Sequence, residues 1–136
     1  MRISSKARYA TIALMDIASR NSDSPITLSD ISKRQNISVS YLEQIFAKLR
    51  RGSLVTASRG PGGGYKLSRS ADEISLSDIA VIFNKEPLTA ESVQGNVAKT
   101  GWYKFSEDLR GFLGNVTLGQ YVKASAGSEG SISSAA

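Results

Sequence analysis

The 136 residues of the chain include no cysteine and no histidine, and these two absences exclude several kinds of site. Without cysteine no disulfide can form, so burial of apolar side chains must stabilise the fold. Zinc sites of the common Cys/His types, thiolate-bound iron–sulfur clusters and haem held by His or Cys are excluded too. Nucleophilic sites of the Cys–His and Ser–His–Asp types are also excluded, and we identify no other nucleophile–base pair. We therefore do not expect an enzyme, and we predict neither catalytic residues nor metal ligands.

Long apolar runs are missing as well. Charges at Arg8, Asp16 and Arg20 interrupt the N-terminal region, so it holds no signal-peptide core, and nowhere do 18 apolar residues follow one another. We therefore expect a cytoplasmic protein. A hydrophobic content of 40% is typical of a folded chain, and the length fits one domain, or one compact domain with an appended element.

The net charge of +5 is divided unevenly along the chain. Residues 1–70 contain twelve Lys or Arg against four acidic residues, whereas residues 71–136 contain five against eight. The first half therefore carries +8 and the second half −3. Such asymmetry is typical of a polyanion-binding part joined to a part with another role, although ordinary surface charge would give the same count.

Apolar spacing predicts two helices at the start of the basic half. From Ser5 to about Ser19 the apolar residues follow the i, i+3, i+4, i+7 spacing of an amphipathic helix. A short second helix follows, with Thr27 as its N-cap, Asp30 three residues later and Asn36 as its left-handed end. A third helix only a few residues further on would complete a helix-turn-helix.

The third helix has two distinct faces. Ser38 or Ser40 can cap its start, Ser40 with Glu43 forms a capping box, and Gly52 closes its end. One face carries the apolar residues Leu42, Ile45, Phe46 and Leu49 at helical spacing. The opposite face is polar and consists of Ser40, Glu43, Gln44, Ala47, Lys48 and Arg51. One side is therefore suited to the core and the other to solvent or a partner.

A glycine-rich hairpin follows the third helix. Residues 54–58, with β-branched Val55 and Thr56, are the predicted first strand, and residues 65–68 are the predicted returning strand. Between them, residues 59–64 read Arg-Gly-Pro-Gly-Gly-Gly. The loop fits neither phosphate-binding glycine pattern, because Tyr65 stands where each pattern requires glycine. Three helices and a hairpin predict a winged helix-turn-helix over residues 1–70, in a mainly α protein with a small β-wing.

The acidic half begins with a predicted short helix from Ser75 to Phe83, after which residues 84–101 show no clear period and are expected to be a loop. Thr117 and Gln120 form a second capping box, for a final helix that reaches about Val122. Residues 124–136 are Ser, Gly, Ala and Ile with one Glu, and they are predicted to be a disordered tail.

A long helix with a continuous apolar stripe is predicted between the loop and the final helix. The stripe consists of Trp102, Phe105, Leu109, Phe112, Leu113 and Val116. It could line a cofactor or belong to the core of its own chain, but a single helix cannot easily bury one Trp and two Phe on itself. An isologous two-fold interface is the more economical interpretation. We therefore expect residues 71–123 to form the dimerising part of a homodimer.

These patterns favour recognition of DNA. A helix enters the major groove when its outward N-terminal residues are short and polar. Gln44 could pair with an adenine edge and Glu43 could accept a hydrogen bond from cytosine, although Ser40 and Glu43 could also serve only as a helix cap. Tyr41 could contact a phosphate or cover the edge of the core. Dimerisation would place two such helices about one DNA turn apart on a palindromic operator.

The wing and the basic side chains extend the predicted interface. A bare glycine backbone can approach DNA closely, and Arg59 can enter a narrow minor groove, although the glycines could merely permit a strained turn. Candidates for phosphate contacts are Lys6, Arg8, Lys48, Arg50, Arg51 and Lys66. The predicted DNA-binding residues are Ser38, Ser40, Tyr41, Glu43, Gln44, Lys48, Arg50, Arg59, Gly60, Pro61, Gly62, Gly63, Tyr65, Lys6 and Arg8.

Four stretches of the sequence carry a family resemblance. They are Met1 to Ala10, Ile37 to Phe46, Arg59 to Tyr65 and Leu109 to Gly119. In this combination, which covers residues 1–122, the chain resembles the bacterial winged-helix regulators that include IscR, NsrR and CymR, and among them it is most similar to IscR. The resemblance implies a homodimeric DNA-binding transcription regulator, with helix 38–50 in the major groove and Arg59 in the minor groove.

The chain departs from that family where its cluster-binding members carry their ligands. Those members have three Cys and a further ligand, His in IscR, whereas residues 86–101 contain neither type and form a shorter loop. The resemblance therefore implies a regulator without an iron–sulfur cluster or other cofactor, by natural loss or by engineered substitution. Its target genes would belong to iron–sulfur cluster assembly or to sulfur or iron metabolism. The alternative is a winged-helix protein-interaction module regulated through a partner protein, as CymR-type relatives are.

Overall fold

The computed structural model describes residues 4–20, 23–83 and 94–127 of the chain. Its helices within these ranges are α1 (Ser5–Arg20), α2 (Leu28–Gln35), α3 (Val39–Arg51), α4 (Leu76–Phe83), α5 (Val97–Gly114) and α6 (Leu118–Gly127). Strands β1 (Val55–Ser58) and β2 (Gly64–Leu67) form an antiparallel hairpin between α3 and a 3-10 turn at Ala71–Glu73. The predicted mainly α architecture with a small β-wing is confirmed. None of these described helices is both long enough and apolar enough to cross a membrane.

Both halves of the chain share one apolar core, because each helix around it presents a single apolar face. Leu14 of α1, Ile31 of α2 and Phe46 of α3 are fully buried. Ile79 of α4 and Leu118 of α6 are buried in the same cluster. The basic and acidic halves of the sequence therefore do not have separate cores. They differ in the charge of their surfaces and pack as one unit.

The helix-turn-helix forms through the caps that the sequence predicts for α2. Thr27 Oγ1 accepts a hydrogen bond from the Asp30 amide at 3.1 Å. Asn36 follows the helix with a φ of 55°, the left-handed conformation that asparagine tolerates better than most residues. This sharp end directs the chain into α3 within a few residues.

The start of α3 differs from one part of the prediction. Ser38 is the N-cap, and its Oγ accepts a hydrogen bond from the Tyr41 amide at 3.2 Å. The predicted capping box of Ser40 and Glu43 is therefore wrong. The physical reason lies one residue earlier, because burial of Ile37 fixes the direction in which the chain enters the helix.

The predicted closure of α3 at Gly52 is confirmed, since Gly52 is the C-cap and its amide donates to the Lys48 carbonyl at 2.9 Å, but the residue lacks the left-handed conformation of a C′ glycine. Gly52 has an ordinary φ of −81°, and the left-handed φ of 62° belongs to Ser53. Glycine at position 52 provides space instead. A Cβ there would lie 2.4 Å from Cδ1 of Ile82, so α3 and α4 approach each other closely at this point.

The wing has a tight tip, built by the Pro-Gly sequence. The strands pair with Ser58 opposite Gly64, which leaves residues 59–63 as the tip. The Gly63 amide donates to the Gly60 carbonyl at 2.9 Å, across a turn with Pro61 and Gly62 at its centre. Gly62 has a φ of 76°, as the third residue of a type II turn requires.

The base of the wing is held by the segment that enters α2. The backbones of Ile26 and Tyr65 exchange two hydrogen bonds, of 2.9 and 2.8 Å. Gly64 has a φ of 146°, and a Cβ on it would lie 2.5 Å from the Ile26 carbonyl oxygen, so only glycine fits. The wing therefore has a fixed position relative to the helix-turn-helix.

The acidic half returns to the core through a short bridge. Ser75 and Thr117 pair as an isolated β-bridge, and the Leu76 amide donates to the Val116 carbonyl at 2.9 Å. The predicted capping box of Thr117 and Gln120 is confirmed, with reciprocal side-chain to amide hydrogen bonds of 3.2 and 3.4 Å. The bridge places the end of α5 beside the start of α4.

Helices α5 and α6 are both longer than predicted. The predicted loop over residues 84–101 ends earlier, because the Asn96 side chain accepts a hydrogen bond from the Lys99 amide and caps α5. The first turn of α5 is exposed and so carries no apolar period. Helix α6 continues to Gly127, so the predicted tail cannot begin at residue 124. Residues 84–93 of the predicted loop and 128–136 of the predicted tail lie outside the described residues.

Candidate nucleic-acid interface

Helix α3 separates a buried apolar face from an exposed polar face, as predicted. Its buried residues are Leu42, Ile45, Phe46 and Leu49. Ser40, Glu43 and Gln44 are exposed on its first turns, and their side chains form no hydrogen bond with another described residue. Because Ser38 caps the helix, Ser40 and Glu43 are free of that task. Unpartnered polar side chains at the start of an exposed helix are the groups that read base edges in the major groove.

Tyr41 joins α3 to the start of α1. Its half-buried ring meets the ring of Tyr9 edge-on, with centroids 5.6 Å apart. The Arg8 guanidinium lies 4.8 Å from the Tyr9 ring centroid, and Arg8 Nη2 donates to the Tyr9 hydroxyl at 3.1 Å. The structure therefore brings the predicted contacts Arg8 and Tyr41 together. Tyr9 is not among the DNA-binding residues predicted from the sequence. The only signal for its role in the sequence is its position directly after Arg8.

The tip of the wing begins with an exposed cation. Arg59 is exposed and makes no ion pair with any described carboxylate. Gly60, Pro61 and Gly62 are exposed beside it. Tyr65 has a different role, because its ring packs against Phe46 with centroids 4.8 Å apart and so fastens the wing to α3.

The cations of the basic half fall into two groups. Arg20, Arg34 and Arg69 pair with the carboxylates of Asp16 or Asp78. The cations predicted to contact DNA make no ion pair within the described ranges, and they are Lys6, Arg8, Lys48, Arg50, Arg51, Arg59 and Lys66. Positive charge without a carboxylate partner is available to neutralise phosphates.

Two lysines refine this division. Lys33 of α2 also lacks an ion pair among the described residues and is not in the predicted set. Lys48 is half-buried, and its Nζ lies 5.8 Å from the ring centroid of Phe83 at the end of α4. That distance is within the range of a cation–π contact, so Lys48 links α3 to α4.

Helix α5 presents a second surface, away from α3. None of its residues is buried, and the side chains of Trp102, Phe105 and Phe112 are 49%, 55% and 65% exposed. The rings of Trp102 and Phe105 stack with centroids 5.5 Å apart. Leu109, Leu113 and Val116 of the predicted stripe are half-buried, and Leu113 lines a groove of about 350 Å³ shared with α1 and α4. The stripe is therefore exposed mainly at its aromatic residues.

The residues present do not fit an iron–sulfur cluster. The 136 residues supply no thiolate and no imidazole, which are the usual ligands of such clusters. Within residues 4–20, 23–83 and 94–127, no three carboxylates lie close enough together to hold a metal ion.

A helix-turn-helix with free polar side chains, a glycine-rich wing and unpaired cations around both define a winged-helix DNA-binding protein. Residues 3–124 match the family model of Rrf2, described as an iron-dependent transcriptional regulator. The chain belongs to the Rrf2 family, and the resemblance stated from its sequence is confirmed.

Similar proteins and similar solved structures agree with this assignment. The transcriptional regulator IscR of Photobacterium profundum is 40% identical over 132 residues, which cover 90% of this chain and 76% of that protein. IscR of Klebsiella pneumoniae strain 342 is 43% identical over 131 residues, with coverages of 90% and 80%. CymR, the global cysteine regulator of B. subtilis, superposes with a TM-score of 0.77 at 27% identity and coverages of 91% and 98%. IscR of T. potens superposes with a TM-score of 0.76 at 32% identity and coverages of 92% and 88%.

Proposed function

We propose that the chain is a sequence-specific DNA-binding transcription regulator that acts as a homodimer on a palindromic operator. The observation that carries the proposal is the division of the cations. Arg20, Arg34 and Arg69 are paired with carboxylates, whereas the described cations of α3, the wing and the start of α1 are not. These unpaired charges would supply salt-dependent affinity for phosphates. Ser40, Glu43 and Gln44 would supply the contacts to base edges.

The aromatic stripe of α5 supports the homodimer. Trp102, Phe105, Leu109 and Phe112 are separated by three, four and three residues, so their spacing reads the same in both directions. A second copy of α5 lying antiparallel across a two-fold axis would place Trp102 opposite the partner's Phe112. The same axis would place Phe105 opposite the partner's Leu109. The most exposed aromatic side chains would then be buried together.

The proposal includes regulation without a thiolate-bound cluster, because no cysteine is present in the 136 residues. It also includes target genes in iron–sulfur cluster assembly or in sulfur or iron metabolism. The names of the relatives support this choice, since the family is described as iron-dependent and CymR as a global cysteine regulator.

Binding to a selected operator at several salt concentrations tests the proposal. The purified chain first selects a duplex from a random-sequence pool, and footprinting then maps the protected bases. We expect two symmetric half-sites with centres about 10 base pairs apart. We also expect log K to fall linearly with log[salt], with a slope of about −0.9 for each phosphate contacted. A flat salt dependence or a footprint without two-fold symmetry would contradict the proposal.

A further inference from the structure

Arg8, Tyr9 and Tyr41 form a connected cluster where the start of α1 meets the start of α3. Arg8 is exposed, whereas Tyr9 and Tyr41 are half-buried and pack against the core. Arg8 touches Tyr9 twice, with its guanidinium over the ring and its Nη2 on the hydroxyl. Tyr9 in turn meets Tyr41 edge-on, with the ring planes at 88°.

We infer that Tyr9 is a positioning residue for DNA binding, which holds Arg8 in place to contact a phosphate beside the base-reading face of α3. The inference rests on the proposed DNA-binding function. It goes beyond that function because Tyr9 would act without touching the DNA. Tyr9 would act by holding the guanidinium of Arg8 in one position.

The contacts of Arg8 leave most of its hydrogen-bonding capacity free. An arginine on an exposed helix face ordinarily samples many rotamers, and ordering it at a phosphate costs conformational entropy. Here the ring and the hydroxyl of Tyr9 restrict the guanidinium before any ligand arrives. The guanidinium has five N–H donors, so the others remain free for a bidentate contact with a phosphate.

Tyr9 is well placed to fix the position of Arg8 relative to α3. The next residue, Ala10, is fully buried, so the backbone of α1 is fixed at this point. Tyr41 is the residue whose amide binds the Ser38 cap, and it therefore belongs to the first turn of the recognition helix. Through the two rings, the position of Arg8 is set relative to the turn that carries Ser40.

The alternative role for Arg8 is in dimerisation, because Arg8 also borders the groove of about 350 Å³ between α1, α4 and α5. In that role Arg8 would act on the association of two chains and not on the contact of each dimer with DNA. The experiment therefore has to measure DNA affinity and dimerisation separately.

A double-mutant cycle on the full chain tests the inference. Tyr9→Phe keeps the ring and removes the hydroxyl, and we expect it to weaken binding to the selected operator about three- to tenfold. Arg8→Ala should weaken binding further and reduce the magnitude of the salt slope by about 0.9. In the Arg8→Ala background, Tyr9→Phe should change the affinity by less than about twofold, since the group that it positions is gone. Tyr121→Phe on α6 is the matched control and should behave as the wild type.

Melting temperature and sedimentation of each variant accompany these titrations, and both should match the wild type. The inference is overturned by full affinity in Tyr9→Phe, by an equal loss in the wild-type and Arg8→Ala backgrounds, or by a loss that follows dissociation of the dimer. Failure of the wild type itself to bind any selected duplex would instead reject the proposed function, so the two failures are distinguishable.

Discussion

The guanidinium of Arg34 makes a bidentate ion pair with the carboxylate of Asp16, with Nη2 2.7 Å from Oδ1 and Nε 2.9 Å from Oδ2. The Asp16 side chain is fully buried, and the Gln35 side-chain amide also donates to it at 2.7 Å. Burial by itself raises the pKa of Asp16. The hydrogen bonds from Arg34 and Gln35, with the charges of Arg34 and Arg20, outweigh burial and hold this pKa below its ordinary value. The pair thus ties α2 to α1 beneath the helix-turn-helix.

Loss of Arg34 should therefore destabilise the fold far more than loss of Arg20, which lies 3.8 Å from the same carboxylate and is 45% exposed. We expect Arg34→Ala to lower the free energy of unfolding by about 3 kcal/mol at neutral pH, because it leaves a buried carboxylate with fewer partners. Arg20→Ala should cost less than about 1 kcal/mol. Urea titrations of the wild type and both variants measure the difference, and equal costs would contradict the assignment.

The same carboxylate should make this difference depend on pH. Because the native pKa of Asp16 is lowered, its contribution to stability is fully present above the unfolded value of about 3.9 and is lost as the pH falls through the native value. The advantage of the wild type over Arg34→Ala should therefore shrink as the pH falls below about 4. Repeating the urea titrations at acidic pH checks this, and a constant advantage would mean that another interaction of Arg34 stabilises the fold.

At the wing, Arg59→Ala should weaken specific operator binding by about 1–3 kcal/mol. The side chain is exposed, with no ion pair among the described residues, so its removal should leave the melting temperature unchanged. Arg59→Lys is the matched variant. It should restore the salt slope but only part of the affinity, because lysine lacks the planar fork that fits a narrow groove. An unchanged operator Kd for Arg59→Ala would remove Arg59 from the interface.

Many features that depend on neighbours within one helical turn could be predicted from the sequence, although the Ser40–Glu43 capping box was wrong and the Asn96 cap of α5 was not predicted. The caps at Thr27 and Thr117, the left-handed Asn36 and the apolar face of α3 are of this kind, because the residues that decide them are three or four positions apart. The polar face of α3 follows from the same periodicity. The candidate base-reading residues therefore follow from local sequence.

Features that depend on contacts between distant segments could not be predicted in this way. Gly64 is required by the backbone of Ile26, and the space at Gly52 is taken by the side chain of Ile82, both far away in sequence. The place of Tyr9 beside Tyr41 depends on how α1 crosses α3, which no local pattern specifies. The polar face of α3 is therefore determined by local sequence. The position of the wing and of the Arg8 side chain is determined by packing between distant segments.

Base-reading and phosphate-binding residues should differ in the way their loss affects binding. Gln44→Ala should reduce discrimination at one base position by about 1–3 kcal/mol while it lowers overall affinity less. Arg50→Ala should weaken binding to all sequences alike and reduce the magnitude of the salt slope by about 1. Competition with operators that carry single-base changes, at two salt concentrations, separates these effects. The same uniform loss for both variants would show that Gln44 does not read a base.

Charge placed on the aromatic stripe of α5 should separate the two chains of the proposed dimer. Trp102→Glu and Phe112→Glu would each bury an unpaired carboxylate at the interface, so each should shift the protein towards the monomer. Val81 of α4 is the matched control, because it is 61% exposed, close to the 65% of Phe112, and lies outside the stripe. Sedimentation of the three variants, with circular dichroism to verify the fold, provides the measurement. Monomeric stripe variants should also lose the symmetric footprint, whereas dissociation of Val81→Glu to the same extent would place the interface elsewhere.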